Sequence, residues 1–455
     1  MNGTWRFGAL AATLCIALAA GCAPSTDKPE RSGMMSHSVA SAEIPNGAQQ
    51  PPSVPAQSAE TIPVDATTGA PPDLTQPPSP ANQPLPDAAL PSDSESGSSR
   101  FPEQRVTLMA VGDIMVHDQQ LEAAWDSRTN RYDFLPSFVH VKPLFQEADW
   151  VIGNLETTLA GREARYTGYP MFNSPETLAL TLKEIGFTAV TTANNHSLDR
   201  KEEGVHKTIA HLDQAGLLHT GTFRSEEERK EPLFLQKGEI TLALLAYTYG
   251  TNGIPVPKGK PYLINLIDPV LIRQDILAAR EKGADLVAVA LHFGSEYQRL
   301  PNEAQKKTAE QVLRFGADLI LGAHPHVVQP YEWKTVILED GREHKGLIAY
   351  SLGNFISAQR WDYKDVGAIL KLALHKGGKG ETRIESVELI PTYVYFHRAN
   401  GKRNYVIHPV WRTLENWERG EKDPTLSREA IRYMQQLAEE IPVHVDQLLP
   451  KEKAS

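Results

Sequence analysis

Cysteine is nearly absent from this chain: 455 residues contain only Cys15 and Cys22, both within the first 22 positions. No disulfide can staple the rest of the protein, and cysteine nucleophiles and thiolate zinc sites are excluded there. Positive charge is also short. The formal net charge is −10 with a pI near 5.9, so the chain as a whole carries no electrostatic footprint for nucleic acid. Long apolar runs are missing as well: the stretch from Gly8 to Ala20 is too short to favour a spanning helix. Aromatic side chains do not occur between Gly8 and Arg100, which leaves that region without the means to build a core.

What is present at the N-terminus has the form of an export signal over residues 1–22: Arg6, an apolar stretch, then Ala19-Ala20-Gly21-Cys22. The ending resembles a bacterial lipobox, with Ala19 where leucine is usual. It predicts lipidation of Cys22 and anchoring to the outer face of the cell membrane. Residues 23–103 are rich in proline, serine and alanine and predict a disordered, extended linker.

From about residue 104 the pattern changes. Apolar runs such as Val106–Val111, Ile240–Tyr247 and Leu286–Ala290 alternate with helical stretches that end at Gly186, Gly216, Gly283 and Gly316. Ser174-Pro175 and Asp268-Pro269 read as helix starts. Strands alternating with helices of this length predict an α/β architecture. After about Gly367 the pattern becomes β-rich, with segments Ala368–Leu374, Ile384–Ile390 and Tyr393–His397. A final amphipathic helix over 427–441 is expected to end before Pro442 and to lie on the surface. The expected division is a domain over 104–412 and a C-terminal helical segment over 413–455.

Six polar clusters each follow an apolar strand: Asp113/His117, Asn154/Glu156, Asn195/His196, His292/Glu296, His324/His326 and Asn354. In α/β sheets ligands bind beyond the carboxyl ends of strands. Carboxylate, amide oxygen and imidazole without thiolate suit Zn, Mn or Fe in a hydrolytic site. Two such cations about 4 Å apart polarise a phosphoryl or acyl oxygen. His324 and His326 follow one strand, and on a strand both rings share a face. His206, His211 and His219 lie on or near a surface helix and are expected to be solvated. His140, His344, His375, His397 and His408 have no partner pattern. The basic residues Lys258, Lys260 and Arg299 are candidates to meet an anionic substrate.

The segments Gly112-Asp113, Asn154-Leu155-Glu156, Asn194-Asn195-His196 with Asp199, His292-Phe293-Gly294 with Glu296, Gly322-Ala323-His324-Pro325-His326-Val327 and Ser351-Leu352-Gly353-Asn354-Phe355 together resemble the bacterial CapA family. Those are capsule or poly-γ-glutamate synthesis proteins with a calcineurin-like metallophosphatase fold. The resemblance covers about residues 104–360. It implies an αββα sandwich, with Asp113 and His326 on a first metal and Asn195, His292 and His324 on a second. His196, paired with Asp199, would steady charge on the leaving group, and Asn154, Glu296 and Asn354 would line the substrate pocket. The chain departs from the wider metallophosphatase pattern in two places. Asp-x-His is stretched to Asp113-x-x-x-His117, and Asn154 stands where a bridging aspartate is usual. Either Glu156 takes that bridging role or one metal site is weak. The implied partners are an anionic polymer or phosphoester substrate and a membrane synthase complex. Three readings remain open: a metal-dependent hydrolase of phosphoester or polyglutamyl bonds, a non-catalytic synthase subunit, and a lipoprotein that only binds wall polymer.

Overall fold

Successive residues of the first strand, Gln104–Ile114, go to opposite sides: Val106, Leu108 and Ala110 into one apolar cluster, Met109 and Val111 into another. This is the two-fold alternation of a strand buried on both faces, which reads in sequence as an unbroken apolar run. The computed structural model describes residues 103–399 and 401–449. The expected export signal, the expected lipidation at Cys22 and the expected linker up to residue 102 lie outside the described residues.

Two large sheets are built from such strands. The first has eight strands in the order Lys402–Pro409, Thr382–Ala399, Val366–Lys376, Gln104–Ile114, Trp150–Leu155, Ala189–Thr191 and Leu218–Thr220, with Asn354–Ile356 also pairing against Gln104–Ile114. From Gln104–Ile114 to Leu218–Thr220 the pairing is parallel, and the three strands on the other side are antiparallel. The second sheet runs Tyr331–Ile337, Glu343–Ala349, Leu319–Ala323, Leu286–His292, Ile240–Thr248 and Leu233–Lys237, parallel in its centre and antiparallel at both edges.

The sheets face each other. Leu108, Ala110 and Ile152 of the first share one cluster with Leu242, Leu244, Ala288, Leu319 and Leu347 of the second. The outer face of the first sheet is covered by Leu178, Leu182 and Ile185 of the helix Thr177–Ile185, among others. Ile272 and Ile276 of Pro269–Glu281 and Val312 and Leu313 of Glu303–Arg314 cover the second. Helix, sheet, sheet, helix is the layering that lets every apolar face find a partner. The expected αββα sandwich with a β-rich C-terminal part is what the chain forms.

Several local expectations are corrected by tertiary contacts. Ser174 does not cap a helix; its hydroxyl bonds that of Thr157 at 2.8 Å, and the helix starts at Thr177. The segments expected over 384–390 and 393–397 are one strand, Thr382–Ala399. The last helix, Arg428–Val445, continues through Pro442 and buries Met434, Leu437 and Ile441 in the cluster between the sheets, not on the surface. His211 is half-buried and not free in solvent: its Nδ1 lies 2.6 Å from the Leu159 carbonyl. None of the described helices is long and apolar enough to cross a membrane.

Candidate metal centre

The parallel strands deliver their carboxyl ends to one place, and two glycines allow the close approach this needs. A Cβ on Gly112 would lie 1.9 Å from the Gly353 carbonyl oxygen, and one on Gly322 would lie 1.9 Å from that of Tyr350. Each glycine therefore lets a neighbouring backbone pass just before a polar cluster. Asp113 follows the first, and the His324-Pro325-His326 loop follows the second. His324 and His326 are not on a strand: the strand ends at Ala323, and both histidines have positive φ, 99° and 58°. Non-glycine residues in that region are strained and persist where surroundings over-determine them. Here the His324 amide N–H donates to Asp113 Oδ2 at 3.3 Å, and His326 Nδ1 lies 3.0 Å from the same oxygen.

Around Asp113 the side chains are buried and interlocked. Asn154 Nδ2 donates to Asp113 Oδ1 (2.8 Å) and lies 3.2 Å from His292 Nδ1. His292 Nε2 lies 2.8 Å from Asn195 Oδ1 and 3.6 Å from Glu156 Oε1, which is also 3.9 Å from His326 Nε2. Ligand-type atoms fall into three close groups: Asp113, Glu156 and His326; Glu156, His292 and His324; and Glu296, His324 and His326. Glu156 belongs to two of them and has no exposed surface. Glu296, by contrast, is exposed and stands at the rim.

The electrostatics of this cluster are those of a site lacking positive charge. Burial, and then the Asp113 charge, pushes the Glu156 carboxyl well above its ordinary pKa. Burial also opposes the charge of Asp113, but the hydrogen bonds of His326 and Asn154 outweigh it and hold that carboxyl below its ordinary value. Burial keeps His292 far below its ordinary value and His324 at about 4, so both are the neutral imidazoles that bind metals. Glu156 Oε1 and His324 Nδ1 are buried and have no hydrogen-bond partner among the described residues. Buried groups of this kind are normally satisfied, and a cation is what oxygen and imidazole donors in this arrangement accept. The residues fit a divalent metal.

Beside the cluster, His196 Nδ1 lies 2.7 Å from Asp199 Oδ2, which also accepts from the Phe172 amide at 2.6 Å. The Phe172 ring meets His196 edge-on at 4.7 Å. His117 stands apart from the ligand groups: its Nδ1 accepts from the Ala358 amide at 3.3 Å. Asn354 pairs with Asp113 along the backbone, but its amide donates to Gln359 Oε1 and the Lys364 carbonyl. It pins the 357–365 loop. Lys260 is bonded to Glu202, and Arg299 lies 3.6 Å over the Tyr363 ring.

Two contributors escaped the sequence reading. Asn252 accepts from Asn195 Nδ2 at 3.2 Å and reaches His196 Nε2 at 3.5 Å. Tyr249 packs against His324, ring centroids 4.6 Å apart, and stacks parallel to His292. Their signal was of the same kind as the others: the apolar strand Ile240–Thr248 runs directly into Tyr249 and the turn dipeptide Asn252-Gly253.

Two facing sheets with helices outside, and carboxylates and imidazoles gathered at their strand ends, make this an αββα sandwich with a candidate metal centre at the strand ends. Residues 107–359 match the family described as "Bacterial capsule synthesis protein PGA_cap". The chain belongs to that family. It is 30% identical over 282 residues to "Capsule biosynthesis protein CapA" of Bacillus anthracis, a match covering 60% of this chain and 65% of that protein. To "PGA biosynthesis protein CapA" of Bacillus subtilis (strain 168) it is 29% identical over 257 residues, covering 55% and 64%. The chain thus spans a little under two thirds of the length of these relatives. Among solved structures, the NAD nucleotidase of Haemophilus influenzae is similar at 12% identity and a TM-score of 0.40, over 76% of this chain and 68% of that one. The calcineurin-like phosphoesterase YfkN of Bacillus subtilis is similar at 11% identity and a TM-score of 0.37, over 73% and 100%.

Proposed function

We propose that this chain works on the outer face of the cell membrane, held there through Cys22, in making, anchoring or exporting an anionic capsule polymer such as poly-γ-glutamate. Its Asp113 cluster is a two-cation hydrolytic centre acting on phosphoester or polyglutamyl bonds. Membership of the capsule synthesis family supports the biological role. The observation that carries the chemistry is Glu156, a fully buried carboxylate shared by two ligand groups.

In this reading Asp113 and His326 would hold one cation and Asn195, His292 and His324 the other, with Glu156 a candidate ligand for both. Asn154 keeps the two carboxylates in register by donating to Asp113 and Glu156. Bound there, Mn, Zn or Fe would supply Lewis acidity toward a phosphoryl or acyl oxygen and toward water. Asp199 fixes the ring of His196 so that Nε2 faces Asn252 and the substrate side, where it steadies charge developing on the leaving group. The exposed rings of Tyr249 and Tyr297 beside the histidines, and the exposed Glu296, form the rim that meets the substrate.

Stripping the purified full chain with a chelator, reloading it with manganese or zinc and counting the metal tests the site. Glu156→Gln and Asp113→Asn should each hold fewer cations than the native chain and lose hydrolysis of phosphoester or polyglutamate. Native metal content in both variants would overturn the centre. Cys22→Ser should release the protein from membranes, and continued membrane association counts against the anchor.

A further inference from the structure

A second group of metal-type side chains lies outside the Asp113 cluster and shares no residue with it. His140 follows the short helical turn Leu135–Phe138; His408 is next to last in the strand Lys402–Pro409; Asp423 lies in the connection between the helices Val410–Glu418 and Arg428–Val445. One ligand atom from each of the three falls within 4.8 Å of the others. His140 Nε2 lies 3.1 Å from Asp423 Oδ2, and the His140 and His408 rings are 4.5 Å apart.

The observation that points to a ligand is His408. It is completely buried, and neither ring nitrogen has a hydrogen-bond partner among the described residues. A buried polar group without a partner is destabilising, by an amount comparable to a lost hydrogen bond. A side chain of that kind, facing a second imidazole and a carboxylate, lacks an electron-pair acceptor. Asp423 is already oriented for the purpose: its Oδ1 accepts from the Thr425 amide (2.8 Å) and hydroxyl (2.7 Å), which leaves Oδ2 to face His140. Carboxylates that ligate metals are commonly held by such outer hydrogen bonds. The His140 and Asp423 side chains are partly exposed, so solvent can reach the group.

We propose that His140, His408 and Asp423 form a second, independent binding site for a zinc-class divalent cation. Two imidazoles and one carboxylate make up three of the four ligands of a tetrahedral site, and water takes the fourth. The neighbouring His397 is a further imidazole near this group and lies outside the three-residue set. The cation would tie together segments separated by 283 residues in sequence, joining the first sheet to the start of the C-terminal helix. In a body without cysteine, this is the kind of cross-link still available.

The full chain, stripped with a chelator, reloaded with zinc and desalted, is counted by elemental mass spectrometry alongside His140→Ala and Asp423→Asn. Both substitutions are at partly exposed side chains. Each variant should retain about one zinc ion fewer per chain than the native protein, and the zinc-dependent rise in Tm should shrink in both. Asp113→Asn, at the other cluster, should leave this ion in place. An unchanged zinc count in both His140→Ala and Asp423→Asn overturns the site. Loss confined to Asp113→Asn overturns it too, while leaving the first centre standing.

Discussion

Oδ2 of Asp113 lies 3.0 Å from Nδ1 of His326; Asp113 is on a strand of the first sheet, and His326 is in the loop that follows a strand of the second. The pair is buried on both sides. It is therefore a tie between the layers and, in the proposed reading, also a pair of metal ligands. Asp113→Ala strands the His324 amide, the His326 ring and the Asn154 amide together. Breaking a buried pair by deleting one partner costs about 3–5 kcal/mol. Urea denaturation of the chelated chain should show a loss of that order, and a change below ~1 kcal/mol would mean that the tie contributes nothing to folding.

Glu156 should behave in the opposite sense when metal is absent. Burial and the Asp113 charge raise its folded pKa, so the protonated carboxyl is favoured in the fold. The corresponding stability is full below the unfolded carboxyl pKa and is lost as pH rises toward the folded value. In chelator at neutral pH, Glu156→Gln should be more stable than the native chain, and adding cations should reverse the order. Denaturation curves with and without metal decide this.

His117 supplies an acid-side effect. Burial lowers its pKa to about 4, so its contribution is complete above the ordinary histidine value and declines as pH falls toward 4. Between those limits each such histidine adds a slope of about 1.4 kcal/mol per pH unit. His117→Gln should flatten the stability profile over that window by one histidine's share. An unaltered slope would place the proton elsewhere.

Gly112→Ala puts a methyl group against the Gly353 carbonyl oxygen. Overpacking of this type typically costs about 1–3 kcal/mol, and the displaced Gly353 carbonyl is the acceptor of the Asp113 backbone N–H. Both Tm and metal content should fall. If only Tm falls, the backbone has yielded without moving the ligand.

Asp199→Asn removes the acceptor that orients His196. Loss of such an outer partner lowers activity or metal affinity about 10–100-fold. Because Asp199 lies outside the ligand groups, kcat on a chromogenic phosphoester should drop while cation content stays level. A matching loss of metal would instead make Asp199 part of the cation site.

Much of this arrangement was legible in the chain itself, because its local signals and its tertiary contacts agree. Asp268 caps its helix through the Val270 and Leu271 amides, and Gly186 and Gly216 end theirs in left-handed geometry. The strand-end residues Asp113, Asn154, Glu156, Asn195, His292, His324 and His326 do meet. What stayed hidden depends on partners distant in sequence. The turned backbone of the His324-Pro325-His326 loop answers to Asp113, 211 residues earlier. Pro442 does not stop its helix, since Ile441 and Val445 on either side are already anchored in the core and packing overrides propensity. His140 and His408 carry no local pattern, and only the closing of the first sheet brings them to Asp423.

If the Asp113 cluster is the proposed hydrolytic centre, its split ownership sets when the protein could act. Asp113, Asn154 and Glu156 arrive on one layer, His292, His324 and His326 on the other, so neither layer alone holds a complete set of donors. A chain that has formed only one of its halves would then be chemically mute. Competence would appear in a single step, at the docking that finishes the domain, and a nick that lets the halves drift apart should silence it as completely as removing a proposed ligand.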